Sequence, residues 1–170
     1  AEEIPASAID ENGDGAEGSS PPHASGQRLQ YCFASGRRAV ALARNDLRPQ
    51  QILTRAAFNN AVKVLMALAG STNTIVHLLA IARRAGIGLT LDDFQAAAAQ
   101  VPVLVDCKPA GRGYMEDFHH AGGTPTLMKA LESTLDLSAQ SITGRTIGQI
   151  LSEYSGPGAW QSTIHPFSAP

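Results

Sequence analysis

The side chains able to do chemistry in this sequence fall into short runs: Ser71-Thr72-Asn73, Asp92-Asp93, Asp106-Cys107-Lys108 and Glu116-x-x-His119-His120, with His77 and Cys32 standing apart. Glu116-x-x-His119 has the spacing by which one helix turns two metal ligands to the same side, as in carboxylate-bridged di-iron bundles. Such a site needs the motif twice and further carboxylates, and the sequence has no second copy. His119 and His120 are adjacent, so a helix points them about 100° apart, and a structural role outweighs metal binding. Asp92 and Asp93 would make an acid/base pair, but their place at a helix start favours capping and dipole complementarity. His77 lies in the most apolar segment and reads as a satisfied core histidine. Asp106-Cys107-Lys108 follows a short apolar run and meets a glycine-rich turn, the kind of strand end where α/β proteins place binding groups. Lys108 serves equally to cap a carbonyl there. Cys32 and Cys107 are too far apart in sequence for a C-x-x-C site and read as reduced thiols. No Gly-x-Ser-x-Gly elbow, phosphate-binding loop or dinucleotide fingerprint is present.

Ser71-Thr72-Asn73 is the run with the clearest structural setting. Upstream, Phe58, Ala61, Val62, Leu65, Leu68 and Ala69 recur at steps of three and four, the mark of one buried helical face ending at Gly70. Downstream, Ile75, Val76, Leu78, Leu79, Ala80, Ile81 and Ala82 leave almost no polar face, which predicts a helix lying deep in the protein. Leu65, Leu68, Ile75 and Leu79 are expected among its most buried residues. Gly70 stops the first helix and Ser71 or Thr72 caps the second. Hydroxyls and N–H groups at a helix N-terminus suit a carboxylate or phosphate, whereas the plain alternative is a well-capped helical hairpin.

The remaining elements are read from their punctuation. Residues 1–26 are rich in Gly, Ser, Pro and acidic residues and read as an irregular or flexible lead-in. A helix is predicted from Gln27 to about Arg44, with Arg37, Arg38 and Arg44 on its solvated face. Thr54 restarts the chain as an N-cap, and Gly86 supplies a left-handed cap behind Arg83-Arg84. Thr90 with Asp93, and Thr146 with Gln149, form capping boxes. Thr124-Pro125 reads as the N-cap and N1 of a helix to about Ser133. Val103-Leu104-Val105 reads as one short strand buried on both faces, whose partner must come from elsewhere. The expected architecture is mainly α with a short buried β-strand, part of a larger α/β domain. Its helical body covers 27–156, and 157–170 is an extended linker.

Taken together, several blocks carry a specific resemblance. Ile52-Leu53-Thr54-Arg55-Ala56-Ala57-Phe58-Asn59-Asn60-Ala61, Ala69-Gly70-Ser71-Thr72-Asn73-Thr74, His77-Leu78-Leu79-Ala80-Ile81-Ala82, Asp106-Cys107-Lys108-Pro109, Met115-Glu116-Asp117-Phe118-His119 and Ala121-Gly122-Gly123 follow one another at characteristic spacing. From about Ser35 to about Ile147 the sequence resembles the iron–sulfur dehydratases that include dihydroxy-acid, 6-phosphogluconate and pentonate dehydratases. The likeness covers the later part of their N-terminal domain. It implies a hydro-lyase that converts a sugar acid or 2,3-dihydroxy acid to a 2-keto acid, using an iron–sulfur cluster, magnesium and a serine base. It also implies a homo-oligomer.

Neither the family's cluster cysteines nor its serine match positions here, so this chain alone is expected to hold no cofactor and to be inactive. Ser71-Thr72-Asn73 matches the family's Gly-Gly-Ser-Thr-Asn block, with Ala69 in place of the first glycine. These residues are assigned to substrate binding or the active-site floor, and no catalytic or metal-ligating residue is assigned. The competing reading is a non-enzymatic helical interaction module that keeps the hairpin without its chemistry. Within the family, the Met115 to His120 run leans towards sugar acids.

Composition narrows the classes further. With 170 residues, 44% of them hydrophobic, the chain suffices for one domain with a sizeable core. A net charge of −2 and no basic cluster longer than a pair argue against nucleic acid as a partner. The apolar run near Ile75 is too short to span a membrane, which leaves a soluble cytoplasmic protein as the expectation.

Overall fold

The computed structural model describes residues 26–157 and 160–170. The lead-in expected over 1–26 therefore lies outside the described residues except for Gly26. Among those described, the helices are α1 (Gly26–Arg44), α2 (Pro49–Ile52), α3 (Arg55–Ala67), α4 (Thr72–Arg84), α5 (Leu91–Gln100), α6 (Met115–His120), α7 (Gly123–Ala130) and α8 (Ile147–Glu153). None of them is long and apolar enough to cross a membrane.

The centre of the fold is α3. Thr54 caps it by accepting a hydrogen bond from the Ala57 N–H at 3.3 Å, and the following residues bury apolar side chains on two sides. Phe58, Val62 and Leu65 pack with Ala82, Leu89, Phe94 and Ala97 from α4, α5 and the connection between them. Ala67, with Val64 and Leu68 against it, joins a second cluster built on Leu104, Phe118, Leu127, Leu131, Leu151 and Ile164. Asn60, 5% exposed, is the buried polar residue of this helix. Its amide donates to the Asp136 carbonyl at 2.9 Å and accepts from the Asp136 N–H at 2.8 Å, so both halves of the side chain are satisfied.

Helix α4 departs from its sequence pattern. Ala82 is fully buried, but Ile75, Leu78 and Leu79, like Leu68 at the end of α3, are only partly so, while Val76 is 65% and Ile81 46% exposed. An all-apolar sequence predicts cover on every side, but the described chain covers only the side facing α3 and α5. His77 is exposed too, so the expected core histidine is not one. Of the four residues expected to be most buried, Leu65 alone reaches the core class.

Among the described residues the predicted strand is reduced to a single bridge. Val103–Val105 is extended, but its pairing amounts to an isolated antiparallel bridge between Val105 and Ile164. The Leu104 N–H donates to the Ala67 carbonyl at 2.8 Å, and the Leu104 carbonyl accepts from the His165 N–H at 2.8 Å. The partner thus comes from residues 163–165 of the same chain. Pro102 has no N–H to extend a ladder, and at Cys107 the backbone already turns to pair with Gly113, so the run has no length in which to grow into a sheet. Burial is two-sided as expected at Leu104 and Val105, which point to opposite faces and are both enclosed, whereas Val103 at the start of the run is 50% exposed.

Most helix ends follow their punctuation, with two exceptions. Thr146 and Gln149 form the full capping box, the Thr146 hydroxyl accepting from the Gln149 N–H at 3.2 Å and the Gln149 side-chain Oε1 from the Thr146 N–H at 2.9 Å. Helix α7 begins two residues before the predicted start. Its N-cap is Gly122 at φ +90°, which leaves Thr124 and Pro125 inside the first turn, where a missing N–H costs nothing. Arg38 is not simply solvated, for its guanidinium donates to the Ile142 carbonyl at 2.8 and 2.6 Å.

The stop of α3 is the second exception. The Gly70 N–H reaches the Leu65 carbonyl at 3.1 Å and the Ala69 N–H the Met66 carbonyl at 3.1 Å, the paired bonds of a Schellman turn. The same pair closes α4 through Ile87 and Gly86, where glycine takes the left-handed position at φ +75°. At the end of α3 that position belongs to Ala69, at φ +51°. Gly70 is needed for a different reason, since a Cβ there would lie 2.4 Å from Leu65 Cδ1. Replacing Ala69 by Gly should therefore stabilise the chain by about 1 kcal/mol, because the left-handed conformation is strained for alanine. Gly70→Ala should destabilise it. Denaturant titration of both variants checks the pair of signs, and a loss of stability in Ala69→Gly would contradict this account of the turn.

Candidate functional site

The Schellman turn delivers the chain directly into Ser71-Thr72-Asn73. Ser71 is the N-cap of α4 and its hydroxyl accepts from the Asn73 N–H at 3.2 Å. The Thr74 N–H reaches the Ser71 carbonyl at 2.9 Å. The N-terminal end of α4 therefore keeps its positive dipole end at the surface, with Ser71, Thr72 and Asn73 all exposed.

The three residues do not share one environment. Ser71 and Thr74 line a cleft of about 530 Å³ with Asn60 and Val64 of α3, Leu78 of α4, Met128 of α7 and Ser141 and Ile142 of the loop before α8. Thr72 and Asn73 are not among its lining residues. The walls are mainly apolar, with hydroxyls and amides at a few points and no charged side chain. Such a lining orients a neutral group by hydrogen bonds but offers no cation for a carboxylate. Sequence reasoning assigned Asn60 no role, because one polar residue beside Asn59 in a helix that also carries Arg55 and Lys63 gives no distinctive signal.

The other chemistry-bearing runs lie apart from this cleft's lining. In the loop after Cys107, Asp106 is paired with Arg112 at 2.8 Å and also accepts from the Arg112 backbone N–H at 2.9 Å. The Arg112 guanidinium holds the Asp106 carboxyl below the usual range, with the backbone bond adding to it. Lys108 neither caps a carbonyl nor faces the cleft: its ammonium donates to the Tyr114 hydroxyl at 2.6 Å. Gly111 and Gly113 are there for space, since a Cβ on either would strike the Asp106–Cys107 backbone. Cys107 is buried and its thiol donates to the Tyr114 carbonyl at 3.3 Å. Burial pushes that thiol's pKa up, helped by Asp117 and Asp106, which makes it a poor thiolate ligand or nucleophile. Glu116 pairs with His120 at 3.8 Å across one helical turn. Among the described residues no three His, Cys, Asp or Glu side chains converge on a metal position.

Asp93 works as a cap. It accepts from the Thr90 N–H at 2.8 Å and pairs with Arg55 across to α3.

Residues 16–150 match the family model described as dihydroxy-acid/6-phosphogluconate dehydratase N-terminal. The chain belongs to this dehydratase family. It is 48% identical to a dihydroxy-acid dehydratase of Acaryochloris marina over 77% of its length and 42% identical to one of Sulfurisphaera tokodaii over 89%. Dihydroxy-acid dehydratase 2 of Acinetobacter baylyi is 40% identical over 97% of the chain. These matches cover 24%, 28% and 30% of the relatives, so the chain spans less than a third of their length.

Two expected outcomes follow from this geometry. Ser71→Ala in the dehydratase chain should cost about 1 kcal/mol as a lost N-cap, measured by urea unfolding. The second concerns acid. The Thr90 N–H first, and Arg55 in addition, hold the Asp93 pKa below its ordinary value. Asp93 therefore contributes stability that is complete above the ordinary carboxylate pKa and is lost as pH falls through the lowered folded value. Asp93→Asn should flatten that part of the acid-unfolding profile, and an unchanged profile would remove Asp93 from it.

Proposed function

We propose that this chain is part of the N-terminal domain of an iron–sulfur hydro-lyase that dehydrates a 2,3-dihydroxy acid to a 2-keto acid. The observation carrying this reading is the 40 to 48% identity, over 77 to 97% of the chain, to proteins named dihydroxy-acid dehydratase. The same names favour a dihydroxy acid over a sugar acid. The reaction removes the α-proton and the neighbouring hydroxyl as water, leaving an enol that becomes the ketone.

Within that reaction the chain's own contribution is positional. The N-terminal end of α4 presents a positive dipole end and the exposed side chains of Thr72 and Asn73, which suit a carboxylate or another anionic group. The described residues offer no converging donor set for a cluster or a magnesium ion, and the buried, protonated Cys107 does not fit as a ligand. Those groups, and the base, belong in this reading to polypeptide outside the described residues.

Two measurements test the proposal. Asn73→Ala, made in the complete polypeptide, should lower keto-acid formation on the order of tenfold at matched cluster content, with little change in the unfolding midpoint. Unchanged turnover would reduce the turn to a helix cap. Anaerobic reconstitution of the 170-residue chain with iron and sulfide should give neither a stoichiometric cluster spectrum nor turnover of dihydroxy acids or aldonates. Either signal would move the chemistry into this chain.

A further inference from the structure

We propose that the cleft of about 530 Å³ beside Ser71 is a binding site for a neutral, mainly hydrocarbon molecule carrying a hydrogen-bonding oxygen, separate from the anion position at Thr72 and Asn73. The proposal stands apart from the hydro-lyase reading and is tested without turnover. Size is the first observation. Small-molecule sites enclose roughly 300 to 1,000 Å³, and this cleft falls within that range. A short dihydroxy acid is far smaller. Charge argues against such an acid as well, because no Lys, Arg or His lines the cleft. A carboxylate moved from water against apolar walls would find no cation to offset its lost hydration.

The second observation is how the walls divide their chemistry. Val64 and Leu65 of α3, Leu78 of α4, Met128 of α7 and Ile142 supply hydrocarbon from separate elements, and the flexible thioether of Met128 adapts to irregular outlines. Oxygens stand among them. Thr74 of α4 and Thr124 of α7 line the same cleft and are half-buried, yet neither hydroxyl has a hydrogen-bond partner among the described residues. Half-buried threonines such as Thr126, Thr134 and Thr146 use theirs, on Tyr154, the Leu131 carbonyl and the Gln149 N–H. Ser71 adds a third group, since its oxygen accepts from the Asn73 N–H while its own O–H stays free to donate. Apolar walls with a few unused hydroxyls hold a molecule by buried area and orient it by one or two hydrogen bonds. Because α3, α4, α7 and residues 139–142 all border the cleft, a ligand there joins parts that only the folded state brings together, and it raises the unfolding midpoint.

Dye binding to the complete polypeptide tests this. Nile red, uncharged and bearing a carbonyl oxygen, is the probe, and anilinonaphthalene sulfonate is its anionic counterpart, each titrated by fluorescence. The expected result is saturable binding of one Nile red per chain, a raised urea midpoint, and affinity for the anion at least about tenfold weaker. Ala61→Phe puts a ring into the cleft and should weaken Nile red binding about tenfold or more. Thr74→Val and Thr124→Val combined, which keep the shape and remove both hydroxyls, should weaken it roughly fivefold. The valine variant decides alone if Ala61→Phe does not fold. Equal affinity for the two dyes, or binding that does not saturate, would show general apolar exposure and overturn the proposal. No binding would show the cleft closed by other polypeptide, and full-strength binding by the folded valine variant would place the dye elsewhere; each overturns it too. A polypeptide that binds Nile red in the expected pattern but dehydrates nothing would keep the cleft and discard the hydro-lyase reading, whereas an active polypeptide that binds no dye would do the reverse.

Discussion

The two-sided burial of α3 is the interaction on which the rest of this structure depends. Phe58, Val62 and Leu65 join the cluster shared with α4 and α5, while Val64, Ala67 and Leu68 join the one that holds α6, α7, α8 and Ile164. Helix α3 is thus shared by both clusters. Its ends are fastened by different means: Thr54 caps the start, and the Ala67 carbonyl, beyond its helical partners, takes the Leu104 N–H at 2.8 Å. The buried Asn60 adds a directional tie, because an amide that both donates to and accepts from the Asp136 backbone fixes the register of that loop on the helix.

From that helix the candidate site follows by covalent continuity. A Schellman turn reverses the chain over three residues, so the N-cap of α4 lies at a set distance from a buried helix end. Keeping Ala69 at φ +51° stores strain at this reversal. Ser71 and Thr74 turn to the neutral cleft, while Thr72 and Asn73 are exposed outside its lining.

Exposed apolar side chains also stand on the first helix. On α1, Leu29 is 74%, Phe33 69% and Val40 53% exposed.

Local rules made much of this legible in the sequence. The helices, the caps at Thr54, Ser71 and Thr146, the left-handed Gly86 and the apolar stripe of α3 each depend on residues within a turn or two of one another. Steric and hydrogen-bonding preferences act at that range. The family, too, was carried by short blocks in order. What local rules left open was decided by partners distant in the chain. Val103–Val105 had the composition of a strand, but a strand needs a ladder, and residues 163–165 provide one bridge. Helix α4 had the composition of a buried helix, but burial requires neighbours on all sides, and the described chain has them on one. Asn60 and Asp136 are 76 positions apart, and only the tertiary fold could bring that amide to that backbone. Periodicity states which faces seek cover; packing decides which of them find it.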